Sequence, residues 1–285
     1  MIKDTVIFTN GNLFSLIILS DFILENQNRI AKIVIINGDY KGRKGWYAYF
    51  NYFKSNSIIY LIYKIFTISL IKFLKIFTCL RVTSVLDIAS ELKIDWEIVH
   101  DVNNEDLFKK IKQLYPKYLL SVSCPQLIQK KWLELFNYQG INIHSSMLPS
   151  YAGLAPYFWV LSLGEKETGV SVHYLSKGFD KGNILAQEKI HILKSTSSFS
   201  LFTNQCIIGK SLLIEAYKKM IVQHTGTLQN LNNYSYYSHP TTKAYFKLRA
   251  NKHRLFRFSD LRKLIHELKK IQQKIDHLKN GKEII

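Results

Sequence analysis

Apolar runs bounded by polar turns recur along most of this chain. Thr5-Val6-Ile7-Phe8-Thr9 reads as a buried strand, Asn10-Gly11-Asn12 as the turn after it, and Leu13 to Leu24 as an apolar helix. Ile33-Val34-Ile35-Ile36-Asn37 is a second continuous apolar run. Strands apolar on both faces belong to parallel sheets covered by helices. Beyond residue 85 the rhythm resumes. It predicts a short helix from Val85, a strand at Trp96–Val99, and a helix capped by Asn104 and stopped near Tyr115 by Pro116. A strand at Tyr118–Ser123, a helix over 129–136 and a strand at Gly140–His144 follow. Next come a helix over 155–163 ended at Gly164, strands over 169–174 and 184–192, and a long helix from Ser198 to about Val222. Alternation of strands and helices predicts an α/β fold, Rossmann-like, with a mostly parallel sheet and helices on both faces, over residues 1–224. The first turn lacks a full G-x-G-x-x-G, which argues against a dinucleotide site.

Residues 41–85 break the rhythm. Trp46, Tyr47, Tyr49, Phe50, Tyr52 and Phe53 cluster near the start, and the run from Ile58 to Leu80 is mainly Ile, Leu, Phe and Tyr. Lys64, Lys72 and Lys75 interrupt it, so no stretch reaches the ~20 apolar residues of a membrane span. At ~100° per residue those lysines fall within about 80° of one another. This basic, apolar helical insertion fits a helix lying in a membrane interface. It equally fits a helix that caps the core with its lysine face in water.

Residues 225–285 read as a C-terminal linker and basic helical tail. The stretch 225–237 is polar and rich in Asn and Tyr. Ser259 then opens a helix with Leu261, Leu264, Leu268, Ile271, Ile275 and Leu278 in a heptad-like seam, before Gly281. The seam suits docking on the chain's own core or pairing in a homodimer.

Charge sharpens this division. The net charge is +18. Residues 41, 43, 44, 54, 64, 72, 75 and 81 are Lys or Arg, with no acid among residues 41–81. Residues 240–285 add thirteen Lys/Arg against the acids 260, 267, 276 and 283. The α/β part is nearly neutral, so the two additions carry whatever the basic balance serves: an anionic membrane surface met through 41–81, or a polyanion such as tRNA. Cys79, Cys124 and Cys206 are far apart, which favours neither a disulfide framework nor a zinc site. Together with the acid in Met1-Ile2-Lys3-Asp4, this predicts no targeting segment and a cytoplasmic protein, peripheral on the inner membrane if the insertion binds lipid.

Candidate chemistry concentrates in Asn142-Ile143-His144-Ser145-Ser146-Met147-Leu148-Pro149-Ser150-Tyr151-Ala152-Gly153-Leu154-Ala155-Pro156. On a strand, Asn142 and His144 share one face. They stand at the strand's C-terminal end, where open α/β sheets place ligands. Leu148-Pro149 and Gly153 then make a well-specified loop, where function often lies. His173 reads as a structural histidine, Ser146 as a support for the loop and Cys124 as a small apolar filler.

Asn142, His144, Ser146, Leu148, Pro149, Tyr151, Gly153 and Pro156, followed by Gly169, Ser171, His173, Asp180 and Gly182, resemble the family of formyltransferases that use 10-formyltetrahydrofolate. That family includes methionyl-tRNA, glycinamide ribonucleotide and amino-sugar N-formyltransferases. The resemblance covers roughly residues 1–40 and 85–222. It implies a catalytic set of Asn142, His144 and Asp180, and a loop of Ser146, Pro149, Tyr151 and Gly153 facing the acceptor. It also implies a folate cleft lined by Gln126, Leu127 and Ile128 and by Ser176, Lys177, Gly178 and Phe179, with no metal. In that chemistry Asn142 donates to the developing oxyanion. His144 donates to the same oxygen or shuttles the amine proton, and Asp180 tunes the imidazole.

Ala152 stands where many members carry Arg or Lys, and the C-terminal barrel of the tRNA enzyme is not evident in the sixty or so residues after Thr225. The sequence therefore points first to a nucleotide-linked amino sugar as the small-molecule amine acceptor. Methionyl-tRNA is the second reading and glycinamide ribonucleotide the third.

Overall fold

The structure is a computed structural model that describes residues 3–37 and 57–281. The aromatic cluster 46–53 and the basic residues 41, 43, 44 and 54 lie outside the described residues. The strands are β1 (Thr5–Thr9), β2 (Ile30–Ile36), β3 (Trp96–Val99), β4 (Tyr118–Val122), β5 (Gly140–His144), β6 (Ala152–Gly153), β7 (Glu167–Tyr174), β8 (Ile184–His191) and β9 (Tyr236–Tyr237). Seven form one sheet in the order β3-β2-β1-β4-β5-β7-β8, while β6 pairs with β9. From β3 to β5 every pairing is parallel; β7 and β8 run antiparallel at the far edge. The mostly parallel sheet expected from the apolar runs is present. Strand β7 runs against the others and β8 returns to their direction; a loop suffices to join the two, because antiparallel neighbours need no crossover helix.

The helices are α1 (Leu13–Asn26), α2 (Ile58–Phe77), α3 (Val85–Glu91), α4 (Glu105–Lys112), α5 (Lys130–Leu135), α6 (Pro156–Leu163), α7 (Ser198–Ile221), α8 (Thr242–Ala250) and α9 (Asp260–Lys279). Strand periodicity divides the core. Ile7, Ile33, Leu120 and Ile141 join a cluster with α1, α7 and α9. Val6, Phe8, Val34 and Leu119 join a second cluster with α4 and α5 on the opposite face. Both faces are covered, as the uninterrupted apolar strands require. Asn104 caps α4 as expected, and the Asn12 side chain accepts from the Phe14 and Ser15 N–H groups, whereas Ser259 makes no side-chain cap at the start of α9. Helix α4 ends at Lys112 rather than near Tyr115, because Tyr115 before Pro116 turns to a φ of 51°.

The tail folds back on the same molecule. Leu264, Leu268, Ile271 and Ile275 of α9 are buried in the first cluster, so the heptad-like seam closes on the chain's own core. Beside it the Lys210 Nζ of α7 lies 2.6 Å from Glu267 Oε1 and 3.3 Å from Asp21 Oδ2, while Lys274 meets Asp21 at 2.9 Å. This network ties α1, α7 and α9 together.

Helix α2 docks through Tyr60, Leu61, Tyr63 and Thr67. The Tyr60 and Tyr157 hydroxyls are 2.8 Å apart, and Lys64 Nζ donates to Tyr157 Oη at 2.9 Å. Lys75 pairs with Asp87 at 3.2 Å. The helix thus packs on the core with Lys72 and Lys75 exposed, while Lys64 turns inward. A row of isoleucines and phenylalanines also faces out. No helix among the described residues is long and apolar enough to cross a membrane.

Candidate active site

The site is built at the C-terminal end of β5, where it lies between β4 and β7. Parallel pairing sets Ser121 opposite Asn142, and antiparallel pairing sets His173 opposite the same residue. Register alone thus places an acceptor and a donor on either side of one amide. The Ser121 hydroxyl donates to Asn142 Oδ1 at 2.9 Å, and Asn142 Nδ2 lies 3.2 Å from His173 Nε2. His173 Nδ1 donates to the Tyr174 carbonyl at 2.8 Å, so its Nε2 is the acceptor for Asn142. This clamp fixes which end of the Asn142 amide is nitrogen and leaves one N–H for the site.

His144, two residues on and on the same face, donates from Nε2 to the Tyr151 carbonyl at 2.8 Å. Its Nδ1 lies 3.6 Å from Asp180 Oδ2, and His173 Nε2 lies 3.5 Å from Asp180 Oδ1. The Asp180 carboxylate therefore sits between two imidazoles and also accepts from the Gly153 N–H at 2.9 Å. Burial pushes its pKa up. The neighbouring His144 and His173 imidazoles, with the Gly153 N–H, outweigh that and hold it below the usual carboxylate range. Asp180 is thus ionised at neutral pH. Asp180, from a separate loop, is thus brought beside His144 directly and beside Asn142 through His173.

The 146–153 loop is fixed by hydrogen bonds rather than packing alone. Ser146 donates to the Ser150 carbonyl at 2.8 Å, and Ser171 donates to the Ser146 carbonyl at 2.6 Å. Gln187 donates to the Leu148 carbonyl at 3.0 Å, next to Pro149. Tyr151 Oη donates to Glu165 at 2.5 Å. Gly153 has a φ of 96°, and a Cβ there would stand 2.4 Å from the Tyr237 carbonyl oxygen. Gly153→Ala is therefore expected to separate β6 from β9, unseat the N–H that Asp180 accepts and cut turnover at least about tenfold. Single-turnover kinetics measure the loss; wild-type rates in a folded Gly153→Ala protein would show that the pairing is dispensable.

Sequence reasoning missed the part played by the polar stretch after Thr225. Gln229 is buried, and its amide donates to the Asp180 carbonyl at 2.9 Å and the Gly182 carbonyl at 2.6 Å. These bonds hold Asp180 at a φ of 54°. Ser235 accepts from the Tyr151 N–H at 2.9 Å, and β9 follows at once. A two-residue strand has no periodicity to detect. Ser121 and His173 did carry a signal, being polar side chains inside otherwise apolar, buried strands.

The residues expected to line a folate cleft fall on two loops that share the second cluster, through Ile128 and Cys124 on one and Leu175 on the other. Leu127 and Phe179 are exposed at 42% and 50%, leaving two apolar contacts open between them. Gln126 is buried; its Oε1 accepts from the Val102 N–H at 2.8 Å and its Nε2 donates to the His100 carbonyl at 2.7 Å. Its side chain thus braces the loop after β3. Ser176 donates to the Gly178 carbonyl at 3.1 Å, closing the turn before Asp180, and Lys177 is exposed. Burial pushes the Cys124 thiol up to about 12, so it is no thiolate nucleophile at neutral pH. Among the described residues no group of three or more His, Cys, Asp or Glu is arranged to hold a metal.

The formyl transferase family model matches residues 90–216, which include Asn142, His144, His173 and Asp180. In this stretch the chain is similar to the formyltransferases. The methionyl-tRNA formyltransferase of Kosmotoga olearia is 36% identical over 138 residues, 48% of this chain and 44% of that protein. The chain spans less than half the length of the curated relatives it matches. An N-formyltransferase from Helicobacter canadensis, solved with folinic acid and dTDP-3-aminofucose, superposes with a TM-score of 0.54 at 20% identity, over 84% of this chain and 71% of that one. The phosphoribosylglycinamide formyltransferase of Bacillus halodurans superposes with a TM-score of 0.54 at 17% identity, over 77% and 95%. These two likenesses show a shared fold.

Proposed function

We propose that this protein is a formyltransferase that moves a formyl group from 10-formyltetrahydrofolate to the primary amine of a nucleotide-linked amino sugar. The convergence of the Asn142 amide, the His144 imidazole and the ionised Asp180 carboxylate carries the reading. The co-substrate supplies an activated formyl carbon. The open apolar side chains of Leu127 and Phe179 suit its flat ring system, and the relative solved with folinic acid supports that assignment.

The chain's own groups do the rest. The amine must attack as a neutral nucleophile, and charge then gathers on the formyl oxygen. The free N–H of Asn142, pre-aimed by Ser121 and His173, donates to that oxygen at no cost of reorganisation. His144 Nδ1 is the nitrogen left to take a proton from the attacking amine, since Nε2 is engaged with Tyr151. Asp180 stabilises the imidazolium that results, then favours return of the proton to the departing nitrogen.

A sugar-nucleotide acceptor is favoured by what surrounds this centre. Tyr151 stacks on Tyr237 with centroids 5.1 Å apart, and the next residue back, Tyr236, is about half exposed. An open aromatic ring suits a planar base. Lys181, 4.5 Å from the Tyr234 ring centroid, brings a positive charge for phosphate. The Helicobacter relative was solved with a dTDP-linked amino sugar. A methionyl-tRNA acceptor is the second reading, favoured by the basic tail and by the curated relatives, which are methionyl-tRNA formyltransferases.

The deciding experiment follows tetrahydrofolate release with nucleotide-linked amino sugars, charged initiator tRNA and glycinamide ribonucleotide offered in parallel. Release with an amino sugar alone is expected. Release with tRNA alone would reassign the acceptor, and the absence of release with all three would remove the proposal. The reading also places the enzyme at the inner face of a membrane, with the contact made by the helix inside 41–81.

A further inference from the structure

Helix α2 has two unlike faces. At ~100° per residue, Tyr60, Tyr63 and Thr67 lie on one side and pack against the protein. Ile58, Ile62, Ile65, Phe73, Ile76 and Phe77 lie within an arc of about 120° on the other. Those six are 53% to 75% exposed. Twenty residues of helix make a ridge ~30 Å long. The apolar surface continues beyond α2: the Phe66 ring stands 5.2 Å from Phe256, and Phe256 stands 5.6 Å from Phe258, which is 78% exposed. A contiguous apolar surface of this extent marks an interaction site on a folded protein.

Charge selects the occupant. Among residues 41–81 there is no Asp or Glu, and exposed Lys72 flanks the ridge. Exposed Arg254 and Arg262 flank the Phe256–Phe258 turn in sequence. A second copy of this chain would bring the same positive charges face to face. A layer of anionic headgroups neutralises them, while its acyl boundary takes the isoleucines.

We propose that the outward face of α2, extended by Phe258, is a docking surface for an anionic lipid bilayer, on which the protein lies without spanning it. The inference is independent of the identity of the acceptor, because none of these side chains belongs to the catalytic centre.

The test uses the full chain and co-sedimentation with vesicles of phosphatidylcholine, alone or mixed with phosphatidylglycerol. The wild type is expected to bind the mixed vesicles. Combining Ile62→Ser, Ile65→Ser and Ile76→Ser is expected to weaken binding at least about tenfold. Its melting temperature and its formyl transfer to a soluble acceptor should be unchanged, because these side chains stand in water. Lys72→Glu is expected to weaken binding to the mixed vesicles and to lessen its dependence on salt. The proposal is overturned if the wild type stays in the supernatant, or if the triple variant binds as the wild type does. A concentration-dependent dimer in sedimentation velocity that the triple variant abolishes, with no vesicle binding, would give the face to a second copy and overturn it as well.

Discussion

Asp180→Ala is expected to lower kcat/KM for formyl transfer by at least about a thousandfold, a loss of ~4 kcal/mol of transition-state stabilisation. The carboxylate contacts both imidazoles and the Gly153 N–H, so its removal disturbs proton transfer and the loop together. Asn142→Ala should cost on the order of 10²–10³ by itself, the usual loss for one oxyanion donor. The two effects should not add, since Asn142 and Asp180 meet through His173. Circular dichroism of each variant should match the wild type, because the surrounding strands are pinned by apolar packing on both faces. An Asp180→Ala enzyme within about tenfold of the wild type, ~1.4 kcal/mol, would defeat the assignment.

Lys210→Ala is expected to destabilise the fold by about 3–5 kcal/mol, the range found when one partner of a buried ion pair is deleted. Lys210 and Glu267 side chains are 10% and 8% exposed, and Glu267 would be left charged against the hydrophobic seam of α9. Asp21 keeps Lys274, so the stranded charge is chiefly that of Glu267. Thermal unfolding should shift downward by roughly 10 °C. The double replacement Lys210→Met with Glu267→Leu should recover most of it, since apolar groups of similar size fill the site without an unpaired charge. A single variant as stable as the wild type would mean that water reaches the pair.

The parts of this fold that were legible in the sequence are those where one local pattern admits one solution. Thr5–Thr9 and Ile30–Ile36 are apolar on both faces, and only a covered parallel strand satisfies that. Asn142 and His144 share a face by the two-residue period, whatever the rest of the chain does. The α2 helix was legible as a helix but not in its orientation. Its wheel carries apolar residues nearly all round, and the choice of inward face rests on Tyr60, Tyr63 and the partner Tyr157, nearly a hundred residues away. The pairing of Ala152–Gly153 with Tyr236–Tyr237 was invisible for a similar reason. Two residues have no period, and their register is set by Ser235 and Gln229 holding a loop from elsewhere. The tail's seam was legible as a seam; which surface it meets was decided by the apolar faces of α1 and α7.

That short pairing also imposes an order in time. A ribosome that has made the first 224 residues has made Asn142, His144 and Asp180, and most of the sheet beneath them. The Gly153 N–H and the backbone of Asp180 are held by Gln229 and by residues 235–237, which emerge later. A chain halted early thus owns every reacting group yet lacks the grip that sets them. Making the reacting groups and setting their geometry are therefore successive events.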